Sequence, residues 1–129
     1  MELQVAFAGV ASAVIAFAPQ TTLAQEQRRS TAEAQYLTGI DKQMSQSKSY
    51  GVRGIDATTS TRNKIGRGYQ VCRDLKLGRS VRDLNNAAAE TAMRHHDGTM
   101  AADQLMYFFM IQKSAIRNLC PEYKQLLDT

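Results

Sequence analysis

Few side chains in this chain are of a type that does chemistry. There are two cysteines, Cys72 and Cys120, and two adjacent histidines, His95 and His96, followed by Asp97. A histidine acts as a base when a carboxylate orients it and a nucleophile lies within hydrogen-bond reach. Consecutive residues at a helix end point in different directions, so His95-His96-Asp97 is not a preassembled dyad. The plainer reading is a solvated helix C-terminus, where histidine also suits the helix dipole. The chain has no G-x-S-x-G elbow, no H-E-x-x-H pair and no G-x-x-x-x-G-K-[ST] loop. Gly66-Arg67-Gly68 is a lone glycine pair inside a helical pattern and a very weak phosphate signal. A closed zinc site needs about four ligands. Two cysteines and an adjacent histidine pair match no such spacing. No catalytic residue, metal or cofactor is therefore expected.

The cysteines have a simpler use. Residues Val5 to Ala18 run for 14 positions without a charge, and Pro19 breaks the run. A spanning helix needs roughly 20 apolar residues, whereas a signal-peptide apolar region needs about 7–15. Thr22-Leu23-Ala24 suits signal peptidase, which places cleavage after Ala24, with Ala18 as the weaker site. The polar stretch from Gln25 to Ser30 follows. Residues 1–24 thus read as a signal peptide and 25–129 as one domain, secreted or periplasmic, with no stable membrane span after cleavage. The opening Met1-Glu2-Leu3-Gln4 lacks the usual basic residue, so either the signal is atypical or the true start lies upstream. Two cysteines in an exported chain most often pair. A reactive thiol or a metal ligand is the alternative. The loop Cys72–Cys120 would close is worth roughly 4 kcal/mol on a chain-entropy basis. Of 129 residues 43% are apolar and 7% aromatic, and the four phenylalanines include Phe7 and Phe17 of the leader. The remaining domain has a modest core and gains from such a staple.

Four helices would position these residues. The first covers about 31–46, with Ala34, Leu37, Ile40 and Met44 on one face, Ser30 as cap and Glu33 completing a capping-box pattern. Residues 45–61 carry Gly51, Gly54 and many hydroxyl residues, and read as a long linker that Val52 and Ile55 pin to the core. The second helix covers about 61–77, with Ile65, Gly68, Cys72 and Leu75 as its stripe and Gly78 as its stop. Gly68 would let a partner helix approach closely. The third covers about 81–95, capped by Ser80 with Asp83 three residues on, and buries a narrow stripe of Val81, Leu84, Ala88 and Ala92. The fourth covers about 100–119, with Thr99 as cap and Leu105, Phe108, Phe109, Gln112, Ala115, Ile116 and Leu119 toward the core. Pro121 ends it. No period-two alternation argues for a strand. The fold expected is an all-α bundle of about four helices with one disulfide.

Two surfaces remain as candidates for binding. From Arg62 to Arg82 seven basic residues face one acid, Asp74. On a 3.6-residue helix Arg62, Tyr69, Arg73 and Lys76 share a flank that could bind an anionic polymer or lipid surface, and is otherwise an ordinary solvated face. The run Leu105-Met106-Tyr107-Phe108-Phe109-Met110-Ile111 is apolar all round. It suits a central helix covered on most sides, or a partner groove or dimer face with Met106, Tyr107 and Met110 as contacts. The second and third helices outline a helix-turn-helix, but Asp74 stands four before Gly78, where that motif wants a small residue. With the export signal, this argues against nucleic acid.

The mature region resembles the exported domain of unknown function 732, found in mycobacteria and cyanobacteria. The likeness rests on Gly68-Tyr69-Gln70-Val71-Cys72-Arg73-Asp74-Leu75, Gly78-Arg79-Ser80, Asp83-Leu84 and the closing Cys120-Pro121. Tyr36-Leu37 is similar to the aromatic-Leu pair opening that family's first helix. The resemblance implies a secreted, disulfide-linked helical domain and no agreed activity. The expectation is a non-catalytic binding module with an unknown protein or anionic envelope partner and a possible homodimer. Rival readings are a periplasmic chaperone or immunity-type inhibitor using an apolar helix face and, further off, a small hydrolase centred on the histidines or a DNA-binding protein.

Overall fold

A computed structural model describes residues 31–128. The expected signal peptide 1–24 and the Ser30 cap lie outside them. The described residues are helical, without a strand. Helix α1 covers 31–46, α2 Tyr50–Thr58, α3 Thr61–Lys76, α4 Val81–His95 and α5 Gly98–Asn118. A 3₁₀ segment, Pro121–Asp128, follows.

The long α5 is the centre of the bundle, with α2, α3, α4 and the 3₁₀ segment all packing on it. Its buried stripe is Tyr107, Ile111, Ser114, Ala115 and Ile116, a helical period that faces the bundle interior. Helix α1 supplies Tyr36, Ile40 and Met44 at steps of four. Ala34, expected on that face, is exposed, because Tyr36 takes the inner position. The α1–α5 contact is also polar. Ser114 Oγ donates to the Tyr36 carbonyl at 2.7 Å, and Gln43 Nε2 donates to the Met110 carbonyl at 3.0 Å.

Helix α3 meets α1 and α5 across Gly68. A Cβ there would lie 2.7 Å from Tyr36 Cζ and 2.8 Å from Leu119 Cδ1, so the close approach expected of this glycine is real. The Tyr36 hydroxyl donates to the Lys64 carbonyl, one turn before Gly68, which lays the ring across the glycine. Cys72 and Cys120 form the disulfide, with Cα atoms 5.9 Å apart. It ties the C-terminal half of α3 to the second residue after α5.

The helix ends follow local chemistry. Gly78, at φ 90°, closes α3 in a Schellman motif. Its N–H donates to the Leu75 carbonyl and that of Arg79 to the Asp74 carbonyl. Ser80 and Asp83 then form a full capping box at the start of α4. The backbone and side-chain bonds from Ser80 hold the Asp83 carboxyl below its usual range.

Further expectations are corrected. The supposed linker 45–61 contains α2, whose N-cap Ser49 accepts from the Val52 N–H at 3.2 Å. Val52 is buried and Ile55 half-buried against the core, so tertiary packing makes a helix of a segment with poor propensity. Helix α5 starts at Gly98, with Asp97 in the cap position, so Thr99 lies inside the first turn. Tyr107, expected on a partner face, is fully buried, while Phe109, expected in the core, is exposed.

Candidate functional site

Helices α3 and α4 form a hairpin through the turn at 77–80. Both arms rest on α5, but they touch each other little. A cleft of about 500 Å³ opens between them. That volume lies in the range of small-molecule sites. Arg67, Gln70, Val71 and Asp74 line it from α3, and Leu84, Ala87, Ala88, Thr91, Ala92 and His95 from α4. Gln104 and Phe108 of α5 form the floor. Arg79 and His96 complete the rim. The cleft exists because the inner stripe of α4 is built from alanines, which cannot fill the space between diverging helices.

Charge is distributed unevenly along the cleft. Asp74 is the one carboxylate among the lining residues. It accepts from Gln70 Nε2 at 3.1 Å and stands 3.7 Å from Arg79 Nη1, at the end next to the turn. Arg67 lies two turns back along α3, and the histidines lie at the far end of α4. Among the described residues none of the three has a salt bridge. Neither histidine ring is hydrogen-bonded to a carboxylate there, so the described residues hold no oriented base.

A second polar cluster ties α2, α3 and α5 together. The Tyr107 hydroxyl donates to Asp56 Oδ1 at 2.7 Å, and Lys64 Nζ lies 2.9 Å from the same oxygen. The Asp56 and Lys64 side chains are only 15% and 14% exposed, so this pair is largely withdrawn from water. Burial pushes the Tyr107 hydroxyl well above its ordinary range, helped by the bond to Asp56 and by its charge, while a bond with Thr59 acts the other way. Burial likewise raises Tyr36, against the charge of Arg67. This cluster is a structural clasp. Its acid and base neutralise each other, and it has no lining in common with the cleft.

A smaller depression of about 320 Å³ lies on the other side of α4, lined by Asn85, Phe109, Gln112, Lys113, Arg117 and Leu127. Gln112 Oε1 and Asn85 Oδ1 are buried there without a protein hydrogen-bond partner. Among the described residues no group of three or more His, Cys, Asp or Glu side chains is placed to hold a metal ion.

The residues singled out in the sequence are placed as follows. Arg62, Arg73 and Lys76 are exposed on α3 and do not line the cleft. Arg73 Nη2 donates to Gln70 Oε1 at 2.6 Å, and the half-buried Tyr69 donates to Glu33 Oε1 at 3.0 Å. Met106 is 50% exposed and Met110 half-buried, and with Tyr107 between them turned inward the three form no common surface. The histidines, read as a solvated helix end, stand on the rim of the cleft. Sequence reasoning missed the cleft. Its only signal there was the small-residue stripe of Ala88 and Ala92.

No protein-family model, no curated protein and no solved structure matches the chain. No helix among the described residues is long and apolar enough to cross a membrane.

Proposed function

We propose that the chain is an exported helical module, of the domain of unknown function 732 type, that binds a ligand without transforming it. Its working surface on this reading is the α3–α4 cleft. The observation that carries the reading is a ligand-sized cleft whose lining sets Val71, Leu84, Phe108 and alanines beside a few polar side chains. The Cys72–Cys120 disulfide supports export, because such bonds persist in oxidising compartments. Binding without catalysis fits histidines that, among the described residues, have no orienting carboxylate.

The test is a titration of the oxidised, isotope-labelled protein with decanol, a neutral apolar probe, followed by NMR. Saturable shifts confined to Val71, Leu84, Ala88 and Phe108 are expected, and their loss in Ala88→Trp, which fills the cleft. Shifts scattered over the surface and unchanged by that substitution would overturn the reading.

A second reading has one observation in its favour. Met93, Met100, Met106 and Phe109 are large apolar side chains left exposed on α4 and α5. They suit a chaperone, inhibitor or homodimer face. Concentration-dependent sizing that shows a dimer broken by Met106→Lys would favour it over the cleft.

A further inference from the structure

The cleft has a polarity along its length that selects among apolar ligands. At the turn end, Asp74 is the sole lining carboxylate and is engaged by Gln70 and Arg79. At the other end Arg67, His95 and His96 are part of the lining, with no lining acid beside them. Glu90, the next acid on α4, pairs with Arg94 at 3.6 Å on the exposed side of that helix. Asp97 is exposed and is not part of the lining. Between the two ends run Val71, Leu84, Ala88 and Phe108. A ligand that satisfies both features carries an apolar chain and one anionic head.

We propose that the α3–α4 cleft binds a single-chain amphipathic carboxylate of the fatty-acid type, with its chain along Leu84, Ala88 and Phe108 and its head at Arg67 and the histidines. The proposal rests on the cleft being the binding surface. A guanidinium is the best partner for a carboxylate, since its planar fork offers two parallel N–H donors. Thr91 and Gln104 add neutral hydrogen-bonding groups to the lining. The chain supplies the affinity by leaving water, and the Arg67 guanidinium fixes its direction. An anionic polymer has no use for the apolar floor. The basic residues suited to one, Arg62, Arg73 and Lys76, are exposed and do not line the cleft.

The test is calorimetric titration of the oxidised protein with sodium decanoate below its micellar concentration. Decanol and decyltrimethylammonium, of the same chain length, serve as neutral and cationic comparators. One decanoate per chain is expected, bound more tightly than either comparator. Arg67→Gln, at an exposed position, should weaken decanoate about tenfold, the value of one charge-assisted hydrogen bond, and decanol much less. Lys76→Gln, exposed and outside the lining, should change neither. Equal affinity for the three probes, or equal effects of Arg67→Gln and Lys76→Gln, would overturn the ligand class. If decanol still binds in the cleft in that case, the binding surface stands and only the carboxylate falls. If no probe binds and the wild type sizes as a dimer that Ala88→Trp breaks, the occupant is a second copy and the proposal falls.

Discussion

Gly66 and Gly68 stand two residues apart on α3, and adding one methyl group to each should move stability in opposite directions. A Cβ at Gly66 meets nothing within 4 Å. Alanine there should stabilise by about 0.5–1 kcal/mol, the helix-interior cost of glycine. A Cβ at Gly68 would lie 2.7 and 2.9 Å from Tyr36 Cζ and Cε1 and 2.8 Å from Leu119 Cδ1. Leu119 can rotate, but the Tyr36 ring is fully buried and held at its far end by the bond to the Lys64 carbonyl. The ring must retreat with α1. Overpacking of this kind costs about 1–3 kcal/mol. The propensity gain is common to both substitutions, so their difference isolates the steric cost at about 1–3 kcal/mol. Urea unfolding of the oxidised proteins reads it as midpoints moving apart at constant slope. In a Tyr36→Leu background the Gly68→Ala penalty should shrink, as contacting residues couple. Equal stabilisation by both alanines would refute the packing of α1 across Gly68.

Other consequences are open to measurement. Replacing both cysteines by serine should cost roughly 4 kcal/mol in the same unfolding assay, from the loop the bond closes over a separation of 48 residues. An unchanged midpoint would show that the disulfide constrains nothing. Tyr107→Phe should cost about 1.5–3 kcal/mol by removing the bond to Asp56. It should also flatten the alkaline limb of stability. Tyr36 and Tyr107 ionise above their ordinary value, so the folded chain keeps protons that the unfolded chain gives up. The stability this contributes is complete below about pH 10 and is lost as pH rises toward the folded values. Gln112→Leu should stabilise by about 1 kcal/mol, because it removes a buried oxygen without a partner from a residue only 4% exposed. Destabilisation there would mean that Gln112 is satisfied.

Helices α1, α3, α4 and α5 were legible because each carries an apolar stripe of helical period and because Ser80, Gly78 and Pro121 mark ends by local chemistry. Helix α2 was not. Two glycines, Gly51 and Gly54, lower its propensity, and it forms because Val52 and Ile55 pack against the core. Only the pinning by those two residues could be read in advance. The facing of Tyr107 was also hidden. In the apolar run 105–111 no polar residue marks the solvent side, and what turns Tyr107 inward is a carboxylate from α2, 51 positions away. Nor was the cleft legible. It comes from two helices that fail to fill the space between them, and a sequence records the small residues on one wall but not the divergence of the helices.

The proposed export depends on the chain reaching an oxidising compartment, where the Cys72–Cys120 bond persists. Intact-mass spectrometry of the protein from cytosolic and extracytoplasmic fractions, without and then with reductant, tests this most directly. The expected result is an extracytoplasmic species that begins at Gln25 and gains the mass of two hydrogens on reduction. A full-length, already reduced species confined to the cytosol would contradict it.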